Sequence, residues 1–195
     1  MTTTANDTIL IVGAGHAGFQ LAVSLRQAGF QGPVGLINDE ALLPYQRPPL
    51  SKAYLKSGGD ATTLYFRPEK FFHDQRIALI SGHAVGIDRT QRAVRLASGE
   101  THRYGHLVLA TGARNRLLDV PNANLDGVRY LRSFAESETL RARLVAGRRV
   151  VVIGAGFIGL EFASTARAKG LEVDVVELAP RVMARAVTPG ISDFF

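Results

Sequence analysis

The feature that most narrows what this chain can fold into is a glycine signature that it carries twice. Ile11-Val12-Gly13-Ala14-Gly15-His16-Ala17-Gly18 recurs as Val152-Ile153-Gly154-Ala155-Gly156-Phe157-Ile158-Gly159. The register persists beyond the glycines, because Ala22, Arg26 and Gly29 stand at the same offsets as Ala163, Arg167 and Gly170. A match of this kind marks one supersecondary unit used twice. In each copy an apolar run leads into the glycines, a helical stretch of about four turns follows, and a second apolar run ends at an acidic residue. That residue is Asp39 in the first copy and Glu177 in the second. In the first copy Thr8 to Val12 is predicted as a strand and Val34 to Ile37 as the returning strand, with Ala17, Leu21 and Leu25 on one helical stripe and Gly29 at the helix C-cap. Runs that are apolar throughout, rather than alternating, belong to a parallel sheet buried on both faces.

A single G-x-G-x-x-G also serves plain packing of helix on strand, so its context carries the argument. Gly13 and Gly154 permit the tight turn, Gly15 and Gly156 let a pyrophosphate approach the backbone, and Gly18 and Gly159 let helix and strand pack closely. The helix start supplies unpaired N–H groups and the positive end of a dipole to the phosphates. A carboxylate some twenty residues further on accepts from ribose hydroxyls. Two such sites in one chain imply two cofactors that exchange electrons.

Between the copies, Pro44 to Pro49 holds three prolines and is expected to be irregular, while Ser51 to Lys56 fits a short helix. Ile77 to Ile80, Ala84 to Asp88, Ala93 to Leu96 and Thr101 to Tyr104 read as short strands of an antiparallel meander. His106 to Ala110 is again continuously apolar and runs into Thr111-Gly112. Ser133-Phe134-Ala135-Glu136 has the capping-box pattern and opens a helix through Val145, closed by Gly147. The predicted fold class is therefore α/β, with two Rossmann-like dinucleotide-binding units on parallel sheets and a small antiparallel β-meander at about 77–104. The expected domains are 1–115, binding FAD, a connecting segment and helix at 116–147, and 148–195 as the first part of an NAD(H)-binding domain.

Several segments together resemble a known family. Arg47-Pro48-Pro49-Leu50-Ser51-Lys52 followed by Ala53-Tyr54-Leu55, then Leu107-Val108-Leu109-Ala110-Thr111-Gly112, Arg129-Tyr130-Leu131-Arg132 and the second glycine motif with Glu161 look like the FAD-dependent, NADH-linked ferredoxin reductases of oxygenase systems. Putidaredoxin reductase, rubredoxin reductase and the biphenyl dioxygenase ferredoxin reductase typify that family, which has the pyridine nucleotide-disulfide oxidoreductase fold. The resemblance runs from about Thr8 to Phe195, and its most specific part is the Pro-Pro-Leu-Ser-Lys run.

The resemblance implies FAD on the first copy, with Gly13, Gly15, Ala17 and Gly18 at the pyrophosphate, Asp39 at the adenosine ribose and Val85 at the adenine. It implies Ala110, Thr111, Gly112, Arg47 and Arg132 as further FAD contacts. Lys52 would lie beside the flavin ring, where an ammonium stabilises negative charge that develops on reduction. On the second copy it implies NAD(H) held by Gly154, Gly156, Ile158 and Gly159, with Glu161 beside the nicotinamide and Lys52, and Glu177 on the ribose. Lys52 and Glu161 are thus the expected catalytic pair, and the electron acceptor a ferredoxin-type iron–sulfur protein. By the same resemblance the chain reaches only about half the family's length, which would make it an incomplete copy of the fold.

Bland alternatives stand beside these roles. Lys52 is otherwise a solvated surface lysine, Glu161 an exposed helix residue, Glu40 a rival to Asp39, and Arg47 a residue that only fixes the proline loop. His102 and His106 are four apart but lie on a hairpin, so no metal site is expected. Zero cysteines exclude dithiol and single-thiol redox chemistry, thiolate zinc sites and protein-ligated iron–sulfur clusters. With 23 basic and 17 acidic side chains the net charge is +6, which suits nucleotides or an acidic protein partner; the arginines are scattered, so no nucleic-acid patch is expected. Met1 to Thr8 is polar without a basic or apolar region, and Glu161 breaks the longest apolar run, so a cytoplasmic protein with no signal peptide and no membrane span is expected. The competing class is a non-catalytic FAD- and NAD-binding module, like relatives of apoptosis-inducing factor, or an inactive fragment.

Overall fold

The computed structural model describes residues 7–195, so the reading of Met1 to Thr8 as no signal peptide falls largely outside the described residues. In chain order the elements are β1 (Ile9–Val12), α1 (His16–Gln27), β2 (Val34–Asn38), α2 (Ala53–Ser57), α3 (Glu69–Asp74), β3 (Ile77–Ser81), β4 (Ala84–Asp88), β5 (Ala93–Leu96), β6 (Thr101–Arg103), β7 (His106–Leu109), α4 (Phe134–Arg143), β8 (Arg149–Ile153), α5 (Phe157–Ala168), β9 (Glu172–Val176) and α6 (Pro189–Phe194). No helix among the described residues is long and apolar enough to cross a membrane. The chain forms two compact units: the first runs up to Gln46 and resumes at Ala61–Ala113, and the second comprises Arg47–Asp60 and Arg114–Phe195.

The first unit is built on a four-stranded parallel sheet in the order β3-β2-β1-β7. Strand β1 is central, and its side chains alternate between two cores as a pleated strand requires. Ile11 enters the core under α1 and α3 with Phe19, Ala22, Leu36 and Phe72, whereas Leu10 and Val12 enter the opposite core with Ile37, Val94 and Leu96. The second core is roofed by the antiparallel sheet β4-β5-β6. Both faces of β1 are therefore dry, which explains its unbroken apolar sequence. Ile77–Ser81, grouped with the meander in the sequence reading, belongs instead to the parallel sheet as the partner of β2, with Ile77 opposite Val34. Its partner lies far away in sequence, and a local pattern of short strands cannot show that.

Helix α1 spans 12 residues, about three turns rather than four. The stripe it buries is Gly18, Phe19 and Ala22; Ala17 is exposed, and Leu21 and Leu25 are only partly buried. The rotation is forced by the glycine turn. A Cβ at Gly18 would stand 1.9 Å from the Gly13 carbonyl oxygen and 3.3 Å from Ile11 Cγ2, so the helix presses its glycine onto the strand.

The second unit pairs β8 with β9 in parallel and packs α5 against them. Its core joins Val152, Phe162, Ala163, Ala166 and Leu171 to Leu55, a fully buried residue of α2. That contact ties Arg47–Asp60 to the second unit, although sequence reading had placed it in the first domain. The Ser137 hydroxyl, itself buried, donates to the Leu50 carbonyl at 2.9 Å, and the Tyr54 hydroxyl donates to Glu138 at 3.0 Å. Pro48 and Pro49 do not disrupt structure as expected: they begin a 3₁₀ turn, Pro48–Ser51, where a fixed φ is favourable and the missing N–H costs nothing. Ser133 forms the predicted capping box with Glu136, but α4 ends at Arg143, before Val145.

Candidate functional site

The two glycine turns share one geometry. Gly13 has φ +108° and Gly154 φ +103°, a conformation that L side chains rarely adopt. Each first glycine donates its N–H to the end of the returning strand, Gly13 to the Ile37 carbonyl at 3.0 Å and Gly154 to the Val176 carbonyl at 2.8 Å. Gly159 repeats the crowding of Gly18, with an added Cβ 2.0 Å from the Gly154 carbonyl oxygen. These four glycines are explained by folding alone.

Gly15 and Gly156 are not. Both are the N-cap residues of their helices in ordinary extended backbone, and a Cβ at either would meet nothing within 4 Å. Neither helix has a side-chain cap or an acidic residue in its first turn. Ala17 and Ile158, both exposed, are the second residues of these helices, so the first turns present bare N–H groups over open space. An absent side chain that neither strain nor packing requires fits a phosphate that must approach the backbone.

In the first unit, Ala110 follows β7 and closes on the turn: its carbonyl oxygen lies 2.2 Å from where a Cβ of Gly13 would stand. Thr111 and Gly112 are exposed beyond it, Gly112 at φ +69°. Asp39 is exposed at the end of β2 and lies 3.3 Å from His83 Nδ1, a neighbour that the sequence reading did not identify. Its rival Glu40 is half-buried and accepts from the Tyr45 hydroxyl at 2.6 Å. The phenol on Glu40 leaves Asp39 as the outward carboxylate of the two. Val85 is exposed on β4, at the register shift between Ala84 and Gly86.

In the second unit the Lys52 ammonium donates to Glu161 Oε1 at 2.5 Å, and the Ser51 hydroxyl donates to Oε2 at 2.6 Å. Two consecutive residues therefore occupy both oxygens of one carboxylate 110 positions away. Lys52 is 54% exposed and Glu161 27%. Burial pushes the Glu161 carboxyl up, but the hydrogen bonds from Lys52 and Ser51 and the Lys52 charge outweigh it and hold the carboxyl below its ordinary value. Sequence pattern does not single out Ser51, whose one signal is its place beside Lys52. Arg47 donates to the Arg132 carbonyl at 3.2 Å, and the Arg132 N–H donates to Glu136 at 2.7 Å.

Glu177 closes back on its own turn. It accepts from the Ala155 N–H at 2.7 Å and from the Ala179 N–H at 2.9 Å, and those backbone donors hold its carboxyl below the ordinary range. The Ala155 carbonyl in turn accepts from Met183 at 2.8 Å. Arg181 is occupied by the Val187 and Ala184 carbonyls, each at 2.9 Å.

The family described as Pyridine nucleotide-disulphide oxidoreductase matches residues 7–195. Rhodocoxin reductase of Rhodococcus erythropolis is 53% identical over 189 residues, 96% of this chain and 44% of that protein. A crystal structure of a ferredoxin reductase from Rhodopseudomonas palustris superposes with a TM-score of 0.94 at 72% identity, over 97% of this chain and 47% of the other. The putidaredoxin reductase in its covalent complex with putidaredoxin superposes at 0.92 with 39% identity, over 98% and 47%. The chain spans about half the length of the curated relatives it matches. Free of cysteine though it is, the chain belongs to the pyridine nucleotide-disulphide oxidoreductase family.

Proposed function

We propose that this chain carries the FAD turn and the start of the NAD(H) unit of a flavoprotein reductase, which takes hydride from NADH and passes single electrons to a ferredoxin-type iron–sulfur protein. The observation that carries the reading is the pair of bare helix starts at Gly15 and Gly156, each on a turn whose other glycines are accounted for by folding. FAD is assigned to the first copy, with Gly13, Gly15, Ala17 and Gly18 at its pyrophosphate, Asp39 at its ribose, and Val85, Ala110, Thr111 and Gly112 as further contacts. Arg47 and Arg132 join that set by resemblance. A bound flavin supplies the conversion between two-electron uptake and one-electron release.

This chain's residues supply orientation and charge. The Lys52 ammonium, held by Glu161, places a positive charge where the resemblance puts the flavin ring, and Glu161 fixes the direction of that half-exposed group. Gly154, Gly156, Ile158 and Gly159 receive the pyrophosphate of NAD(H). These 195 residues hold no cysteine and so supply no thiol relay of their own, which fits direct transfer from the flavin to the partner. The solved complex of putidaredoxin reductase with putidaredoxin gives that partner class its precedent. The test is to denature the purified protein and identify the nucleotide it releases. Release of FAD, with visible flavin absorbance before denaturation, supports the reading. NAD without flavin reverses it.

Cofactor choice follows from Glu177. Its carboxylate stands at the end of β9, where a ribose hydroxyl is welcome and the 2′-phosphate of NADPH is not. NADH is expected to exceed NADPH in kcat/KM on the order of a hundredfold. Glu177→Ala should collapse that ratio; an unchanged ratio removes Glu177 from the cofactor site.

A further inference from the structure

Ser51 is one of four polar residues buried among the described residues, at 6% exposure, and its hydroxyl has a choice of acceptors. The Pro48 carbonyl lies at 3.4 Å and Glu161 Oε2 at 2.6 Å. A hydroxyl has one proton, and an ionised carboxylate only accepts, so the proton goes to Glu161. The backbone that presents this hydroxyl is held firmly on both sides. Pro48 and Pro49 fix φ ahead of it, Ser137 anchors the Leu50 carbonyl, and the Lys52 N–H donates to the Pro49 carbonyl at 3.0 Å. Lys52, by contrast, is a long and half-exposed side chain whose place depends on where the Glu161 carboxylate points.

We propose that Ser51 is a positioning residue: its hydroxyl fixes the rotation of the Glu161 carboxylate and, through it, the direction of the Lys52 ammonium. The proposal rests on the reading of Lys52 and Glu161 as the pair that serves hydride transfer. Lys52 is the charged group facing Glu161 and Ser51 the neutral donor. Removing the hydroxyl leaves one oxygen of a half-buried carboxylate without its short hydrogen bond, and frees the group to turn about its side-chain torsions.

The experiment uses Ser51→Ala and Ser51→Thr, the second of which keeps a hydroxyl. In the cofactor-free chain, the Glu161 carboxyl carbon is followed by NMR as pH is lowered. Glu161 should protonate at higher pH in Ser51→Ala than in the parent, with Ser51→Thr returning toward the parent. In the flavin-loaded protein, kcat with NADH should fall roughly tenfold in Ser51→Ala with KM little changed. A Glu161 titration unmoved in Ser51→Ala overturns the proposal, even if the variant melts earlier, since that pattern belongs to a serine that only packs. Failure of the chain to take up flavin defeats the proposed function, while the carboxyl titration still decides the role of Ser51.

Discussion

At the scale of single residues, the glycines of one motif divide into those that build the turn and those that leave room over it. Gly18→Ala drives a Cβ into the Gly13 carbonyl, so destabilisation on the order of 3 kcal/mol is expected by denaturant unfolding. Gly15→Ala meets open space, so stability should stay within about 1 kcal/mol while FAD affinity drops at least tenfold. Equal loss of stability in the two variants would make both glycines structural. A second residue-scale prediction concerns acid. The Glu161 carboxyl is held below its unfolded value, so the stability that it contributes is fully present above the ordinary carboxylate range and is lost as pH falls through the depressed folded value. The melting temperatures of the parent and Glu161→Gln should therefore differ at neutral pH and converge in acid; a gap that widens in acid would contradict the assignment. Sequence alone made Gly13, Gly15 and Gly18 legible, because a spacing encodes a turn. It missed Ser51 and His83, because a neutral serine or a lone histidine acquires meaning only from the carboxylate that folding brings to it.

At the scale of elements, the segment Pro48–Ser57 shows what a local pattern can and cannot say. Its short helical content was legible, but its allegiance was not, since Leu55 buries itself among α5 residues more than a hundred positions away. Leu55→Ala should cost about 2–5 kcal/mol. By hydrogen exchange, protection should fall in α4 and α5 and persist in β1. Loss of protection in β1 instead would place Leu55 in the wrong core. The Tyr54–Glu138–Arg141 cluster supports the same anchoring: Arg141 grips Glu138 with two nitrogens, at 2.9 and 3.0 Å. Helix α1 illustrates the converse failure. Periodicity proposed a stripe of Ala17, Leu21 and Leu25, yet the buried stripe begins at Gly18, because a residue with no side chain scores as nothing in a hydrophobic pattern while making the closest helix–strand contact.

At the scale of the whole molecule, duplication was legible, and the two copies differ in the size of the sheet that the described residues build. Among the described residues the first copy has a four-stranded sheet roofed on one face by the antiparallel sheet, whereas the second has β8 and β9, with Val151, Ile153, Val175 and Val176 exposed. This 195-residue chain alone is therefore expected to turn over NADH with an artificial acceptor at a small fraction of the rate of the longer relatives, because a nicotinamide site needs more of the sheet to orient its ring. Comparable turnover would show β8, α5 and β9 to be sufficient. The chain passes between its two units three times, after Gln46, Asp60 and Ala113. Recombination between homologous parents feels that threading directly. A single crossover near residue 114 would take Ser51 and Lys52 from one parent and Glu161 from the other, although the two halves look like separate modules on paper. Chimeras should keep both their fold and the Lys52–Glu161 pair when residues 47–60 and 114–195 are inherited together, so the heritable block is discontinuous in the gene.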